Sequence, residues 1–326
     1  MSDEKSKATL LKEEIMMKGS KGAATLNAEE IKKADDFCVG YKEFLDHSPV
    51  EREAVSYTLE LAKKAGFTEY NENASYNAGD KVYYVNRDKA IALAVIGKNG
   101  VKNGARLAIA HIDSPRIDLK PNPLYEDTNL ALFKTHYYGG LKKYQWTALP
   151  LSLHGTVVKL DGTKVNITWG DDENESCFCV TDLLPHLAKD QVSKPLAKVF
   201  TGEDLNVLVG SRPYEDGNEE KDLVKLNVMS ILNKKYGIVE GDFLSAELCL
   251  IPSFKARDIG FDASMIGGYG HDDKVCAYPA LMASLDVETP EQTCVTYLTD
   301  KEETGSDGNT LSLIHISEPT RPRLIS

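Results

Sequence analysis

The chain reads as an α/β protein, a mixed sheet flanked by helices and interrupted by a β-rich insertion. Three observations predict this. Three short apolar runs follow one another between residues 82 and 111, and near-continuous apolar strands belong to sheets covered on both faces. Helical periodicity precedes them over residues 27–66 and resumes after residue 274. From about residue 120 to 250 hairpin signals take over and split the pattern in two. At 326 residues, with 42% hydrophobic content, the chain exceeds a typical single domain and has ample core material. The expected parts are residues 1–119 and 251–310 for the α/β domain, 120–250 for the insertion and 311–326 for a tail.

The elements come in this order. The first 20 or so residues are charged and polar, a mobile arm or a short helix. Asn27, with Glu30 three positions on, has the pattern of a reciprocal helix cap, and Ile31, Ala34, Phe37, Cys38, Tyr41 and Leu45 then share one helical face. A second helix is expected to start at Ser48-Pro49, with proline at its first position, and to end at Gly66. Strands are expected over 82–85, 91–96 and 107–111. In the insertion, 153–160 and 164–169 flank Asp161-Gly162, a two-residue type I′ turn signal. Thr181 is placed to cap a short helix over 182–190, and a charged loop over 212–222 leads into a helix over 223–236. Residues 244–251 are expected to return the chain to the first sheet. Cys276 and its neighbours begin a further helix after the loop 267–270, and residues 293–298 form a last strand.

Composition narrows the function classes. A net charge of −12 offers no basic footprint for nucleic acid or an anionic membrane. The six cysteines have no framework spacing, and Cys177-Phe178-Cys179 is neither a redox nor a zinc pair. The N-terminus lacks a signal-peptide core, and no run of about 18 apolar residues could span a bilayer. A cytoplasmic, soluble protein is expected.

Three segments carry chemistry. His111 and Asp113 close a strand, Asp272 and Asp273 precede a helix, and Glu302 and Glu303 follow a strand. Singly, each has an ordinary structural role: a satisfied strand-end histidine, a helix cap, a solvated charged turn. Together they supply what a two-metal hydrolytic site needs, namely imidazole and carboxylate ligands, a carboxylate able to bridge, and one left over as base. In that reading His111 is a ligand and Asp113, on the same strand face, orients its ring. Asp272 bridges, Glu303 is a ligand and Glu302 is the general base. Strand ends carrying His111 and Glu302-Glu303 would face the carboxyl edge of the sheet, where open α/β sheets place their sites.

The same segments carry a family resemblance. Ala110-His111-Ile112-Asp113-Ser114-Pro115-Arg116-Ile117-Asp118-Leu119-Lys120-Pro121 resembles the first metal-ligand motif of the M18 metalloaminopeptidases, the family of aspartyl aminopeptidase. Asp272-Asp273-Lys274-Val275-Cys276-Ala277-Tyr278 and Asp300-Lys301-Glu302-Glu303-Thr304-Gly305-Ser306 resemble its next two motifs. Tyr137-Tyr138-Gly139-Gly140 and Thr181-Asp182-Leu183-Leu184-Pro185-His186-Leu187 resemble its inserted oligomerisation domain in the bacterial form. The likeness covers residues ~10–310. It implies the zinc-exopeptidase fold, a homo-oligomer and peptide substrates. It also implies two zinc ions, with cobalt or manganese as substitutes, held by His111, Asp272 and Glu303, and Glu302 as base.

The likeness also implies two further ligands, an aspartate and a C-terminal histidine, beyond Thr310. Residues 311–326 read instead as translated adaptor sequence joined to an interrupted frame, so this chain is expected to be inactive. Two other readings use the same residues. One is a related two-metal carboxypeptidase or deacylase, and the other a non-catalytic subunit that retains only the insertion's contacts.

Overall fold

The computed structural model describes residues 6–17, 19, 25–215 and 221–305. Residues 216–220 of the charged loop and the 311–326 tail fall outside them. The chain divides into a unit Met1–Tyr41 and a second, Lys42–Ser326. In the first, Ser6 accepts from the Thr9 N–H and opens α1 (Lys7–Ile15). Asn27 starts α2 (Ala28–His47): its side chain accepts from the Glu29 and Glu30 amides, and Glu30 accepts from the Asn27 N–H in return. The expected apolar face of α2 is only partly covered, since Ile31 and Phe37 are exposed whereas Leu45 is buried. The next helix, α3 (Glu51–Lys64), begins two residues later than Pro49, with Val50 as an uncapped entry, and Gly66 at φ +88° lies just past its end.

The strands β1 (Thr68–Glu69), β2 (Lys81–Asn86), β3 (Ala90–Val95), β4 (Ala105–His111) and, late in the chain, β14 (Thr293–Thr299) form a five-stranded sheet. Its order is β1-β2-β3-β14-β4. The β1–β2 and β14–β4 pairs are parallel and the others antiparallel, so the sheet is mixed. Helix α3 packs on β2 and β3, and α6 (His271–Asp286) on β4, β14 and β3. One expectation fails: β4 is an edge strand rather than one covered on both faces. Among the described residues only β14 pairs with it, and Leu107 is 66% and Ile109 45% exposed, so the face they occupy is open.

A second, seven-stranded antiparallel sheet holds β5 (Arg116–Asp127), β6 (Leu130–Tyr138), β7 (Leu151–Val158), β8 (Lys164–Trp169), β9 (Cys179–Val180), β10 (Val207–Gly210) and β11 (Ala246–Pro252). The run over 244–251 therefore does not rejoin the first sheet. All seven residues of β11 pair with β7, which gives it a complete antiparallel partner where it stands. Ile117, Phe133, Leu153, Ile167 and Leu250 form the core beneath this sheet, closed by Val224 and Leu232 of α5 (Leu223–Tyr236).

The β7–β8 connection is longer than expected. Lys159 N–H donates to Thr163 and Gly162 N–H to Lys159, so residues 160–162 form a three-residue loop with only Gly162 left-handed, at φ +84°. A type I′ turn would need positive φ at Asp161 as well. The helix expected over 182–190 is absent too. Pro185 interrupts it, Leu183, Leu184 and Leu187 are exposed, and only the short α4 (Lys189–Val192) forms. A small ribbon of β12 (Arg257–Ile259) and β13 (Met265–Gly267) precedes α6. No described helix is long and apolar enough to cross a membrane.

Candidate active site

The parallel pairing of β14 with β4 builds the site. Thr299 lies opposite His111 and accepts from the Ile112 N–H, so both strands deliver their succeeding residues to one edge. After β4 come Ile112, Asp113 and Ser114. After β14 comes the turn over residues 302–305, closed by a Gly305 N–H to Glu302 carbonyl bond of 3.0 Å. Asp272 arrives from a third direction. It sits at the start of α6, but its φ/ψ of −87°/113° is not helical, and regular helix begins only beyond Asp273. Its side-chain Oδ1 lies 3.2 Å from His111 Nε2.

Asp113 is the hub of the arrangement. It is fully buried, and its carboxylate accepts from the Tyr138 O–H at 2.6 Å and from the Glu302 and Glu303 backbone amides at 3.2 Å each. Burial alone would raise its pKa. The hydrogen bonds from His111, Tyr138 and the Glu303 amide outweigh burial and hold it down at about 2. The strand ends at His111, so Asp113 lies beyond it and its main chain reaches the ring: His111 Nδ1 is 3.0 Å from the Asp113 carbonyl and 3.4 Å from the carboxylate.

That contact settles the ring's tautomer. A carbonyl oxygen can only accept, so Nδ1 carries hydrogen and a neutral ring presents a lone pair at Nε2. Nε2 faces Asp272 Oδ1 at 3.2 Å and Glu302 Oε2 at 3.7 Å. Lone pairs facing lone pairs need a cation between them. In the protein alone the ring itself takes that part: burial lowers its pKa, but Asp113 raises it more, and the net value is about 9. Glu303 lies close by, its pKa raised by burial and then by the charge of Asp113.

Would a metal fit? Two donors on one tetrahedral zinc, each about 2.0–2.1 Å away, sit about 3.3 Å apart, close to the separation of His111 Nε2 and Asp272 Oδ1. The donors are also of the right kind, and Nδ1 is anchored as it is in metal-bound histidines. In number they fall short, because no group of three or more His, Cys, Asp or Glu among the described residues is arranged to hold an ion.

Several supporting residues were invisible in the sequence. Lys274, fully buried in the first turn of α6, donates to Ser114 Oγ at 3.0 Å, and Ser114 donates to the Asp272 carbonyl at 3.1 Å. Burial holds the Lys274 pKa down at about 8. Arg116 binds Glu51 at 2.8 Å and Asp118 at 2.7 Å, and its guanidinium lies 4.1 Å from the centre of the Tyr138 ring. No sequence signal marks their burial: Glu51 stands beside Arg52 and Glu53, and Lys274 directly follows Asp272-Asp273.

Comparison with known proteins places the chain among relatives of one family. The family pattern described as "Aminopeptidase I zinc metalloprotease (M18)" matches residues 44–311. The chain is 51% identical over 274 residues to a probable M18 family aminopeptidase 1 of Clostridium acetobutylicum, covering 83% of this chain and 59% of that protein. A crystal structure of an M18 aminopeptidase from Thermotoga maritima superposes with a TM-score of 0.84 at 44% identity, over 90% of this chain and 63% of that one. Aminopeptidase I from Clostridium acetobutylicum gives 0.82 at 44% identity, over 90% and 66%. The chain thus spans about three-fifths of the length of the curated relatives it matches.

Proposed function

This chain belongs to the M18 aminopeptidase family, and on that premise we propose that it carries the catalytic core of a metalloaminopeptidase that removes N-terminal residues from peptides. One observation supports this above the rest: His111 Nε2, Asp272 and Glu302 converge at the shared end of two parallel strands. In this reading His111 and Asp272 hold one zinc ion and Asp272 and Glu303 a second, with donors from outside the described residues completing both. Cobalt or manganese could replace zinc at such oxygen and imidazole donors.

Zinc bound there would polarise the scissile carbonyl and acidify a water. The chain's own residues do the rest. Glu302 takes the water's proton on its half-exposed carboxylate and returns it to the departing amine. Its backbone N–H, bound to Asp113, keeps it at the rim beside His111. Asp113 and its carbonyl hold the His111 ring, and the Lys274–Ser114–Asp272 chain of hydrogen bonds holds the loop that carries Asp272.

In the same reading residues 1–119 and 251–310 serve catalysis and 120–250 the contacts between subunits of a homo-oligomer, though the second sheet itself runs a few residues further at each end, from Arg116 to Pro252. A cytoplasmic setting suits the six unpaired cysteines. With only two donors assigned to each ion, where catalytic zinc has three, the 326-residue chain alone is proposed to be inactive. Chelator-sensitive cleavage of an unblocked aminoacyl substrate by this chain would overturn that point.

The base is tested in the chain joined to the C-terminal part of the Clostridium acetobutylicum relative. Glu302→Gln is expected to retain metal and lower turnover by at least about 10²-fold. Near-normal turnover with metal fully bound rejects the assignment. N-acetylated peptides are expected to resist cleavage, and their hydrolysis would point to a deacylase or carboxypeptidase.

A further inference from the structure

The inserted sheet reaches into the site through a single strand end. Strand β6 finishes at Tyr138, whose O–H lies 2.6 Å from Asp113 Oδ2. The same oxygen accepts the Glu303 amide at 3.2 Å, while Oδ1 accepts the Glu302 amide. Tyr138 thus completes the set of donors that fixes the carboxylate on which the Glu302–Glu303 turn hangs. The ring is itself held, 4% exposed, with the Arg116 guanidinium 4.1 Å and the Lys301 ammonium 4.8 Å from its centre. Arg116 lies directly opposite Tyr138 in the β5–β6 ladder and is tied to Glu51 of α3.

The next residue makes a second contact. Gly139 has φ +70°, and a side chain there would bring its Cβ within 3.0 Å of Glu303 Oε2 and 3.1 Å of Glu303 Cβ. Glu303 can lie where it does because residue 139 has no side chain. One short segment of the insertion therefore bears on the two-glutamate turn by two routes, through a hydroxyl on Asp113 and through bare backbone against Glu303.

We propose that Tyr138 is a positioning residue for the Glu302–Glu303 turn, acting through Asp113, and that the insertion is in this way a structural part of the catalytic centre. The idea builds on the aminopeptidase reading above, but the hydrogen bonds it invokes exist whatever the reaction. Losing the hydroxyl leaves the ring and its cation contacts in place, yet frees one lobe of the carboxylate and loosens the two amides it holds.

The test is amide hydrogen exchange in the 326-residue chain, comparing Tyr138→Phe with the parent. Exchange at the Glu302 and Glu303 amides is expected to quicken by about tenfold, the scale of one hydrogen bond to a charged group, with β3 and β7 unchanged. Gly139→Ala should loosen the Glu303 amide by the steric route and guards against a variant that fails to fold. In the extended chain that turns over substrate, Tyr138→Phe should cut kcat about tenfold at unchanged KM. Unchanged exchange at both amides, a uniform rise along the whole chain, or an unaltered kcat each overturns the proposal. An extended chain without the substitution that shows no aminopeptidase activity would count against the functional reading instead, leaving the exchange comparison to decide the role of Tyr138.

Discussion

At the residue scale, the site depends on how few acceptors and donors are left to chance. Asp113 uses one buried carboxylate to hold two backbone amides and a tyrosine, and its own carbonyl to orient His111. Asp272 has the opposite character. Its side chain is 84% exposed, and its direction is set by the non-helical backbone at the start of α6, held by Ser114 and behind it Lys274. If it bridges two ions, Asp272→Asn removes a ligand common to both. Metal analysis of that variant is expected to find both ions lost along with activity, and two tightly held ions would rule out the bridging role.

At the scale of elements, the joint between α3 and the second sheet carries a buried ionic cluster. His154 of β7 is fully buried between Glu53 of α3 at 3.0 Å and Asp171 after β8 at 3.1 Å, with Ser152 Oγ 2.9 Å away and Lys255 acting on Asp171. Burial lowers the His154 pKa, but the hydrogen bonds to Asp171 and Glu53 raise it more, to about 9. The folded value thus lies above the unfolded value of about 6.5. The stabilisation is fully present below pH 6.5 and is lost as pH rises through about 9. It amounts to at most about 3 kcal/mol. Urea unfolding midpoints should fall between pH 6 and pH 10 in the parent and fall distinctly less in His154→Gln. Equal pH dependence in the two proteins would show that the cluster does not link the elements in this way.

At the scale of the whole molecule, the second sheet is too large to serve only as a brace for Tyr138. It has its own core and helix α5, and it presents Leu183, Leu184, Leu187 and Leu196 to solvent. Exposed leucines gathered in one irregular stretch mark a surface suited to another protein face. Assembly through this block is the expectation for the intact protein. Light scattering at micromolar concentration should give a mass at a multiple of the subunit's, and a monomer would count decisively against the role given to residues 120–250.

The sequence by itself determined those features whose cause is local or whose residues travel as a motif. The reciprocal cap of Asn27 and Glu30 and the helix over 223–236 depend on neighbours within one or two turns. The strands over 82–111 depend on apolar periodicity. His111, Asp272, Glu302 and Glu303 could be singled out because carboxylates and imidazole at element ends are chemically conspicuous. Tertiary structure alone decided which sheet the run over 244–251 would join, because that depends on a partner strand some 90 residues earlier. The stretch over 182–190 is a mixed case: Pro185, a local feature, already opposes the helix there, and no packing of Leu183, Leu184 or Leu187 compensates. Above all tertiary structure brought Tyr138, Arg116 and Glu51 together around Asp113, with Arg116 bonded to a partner 65 residues away. No periodicity encodes such meetings. They arise from the register of β5 on β6 and the parallel pairing of β4 with β14, which exist only once both sheets have formed.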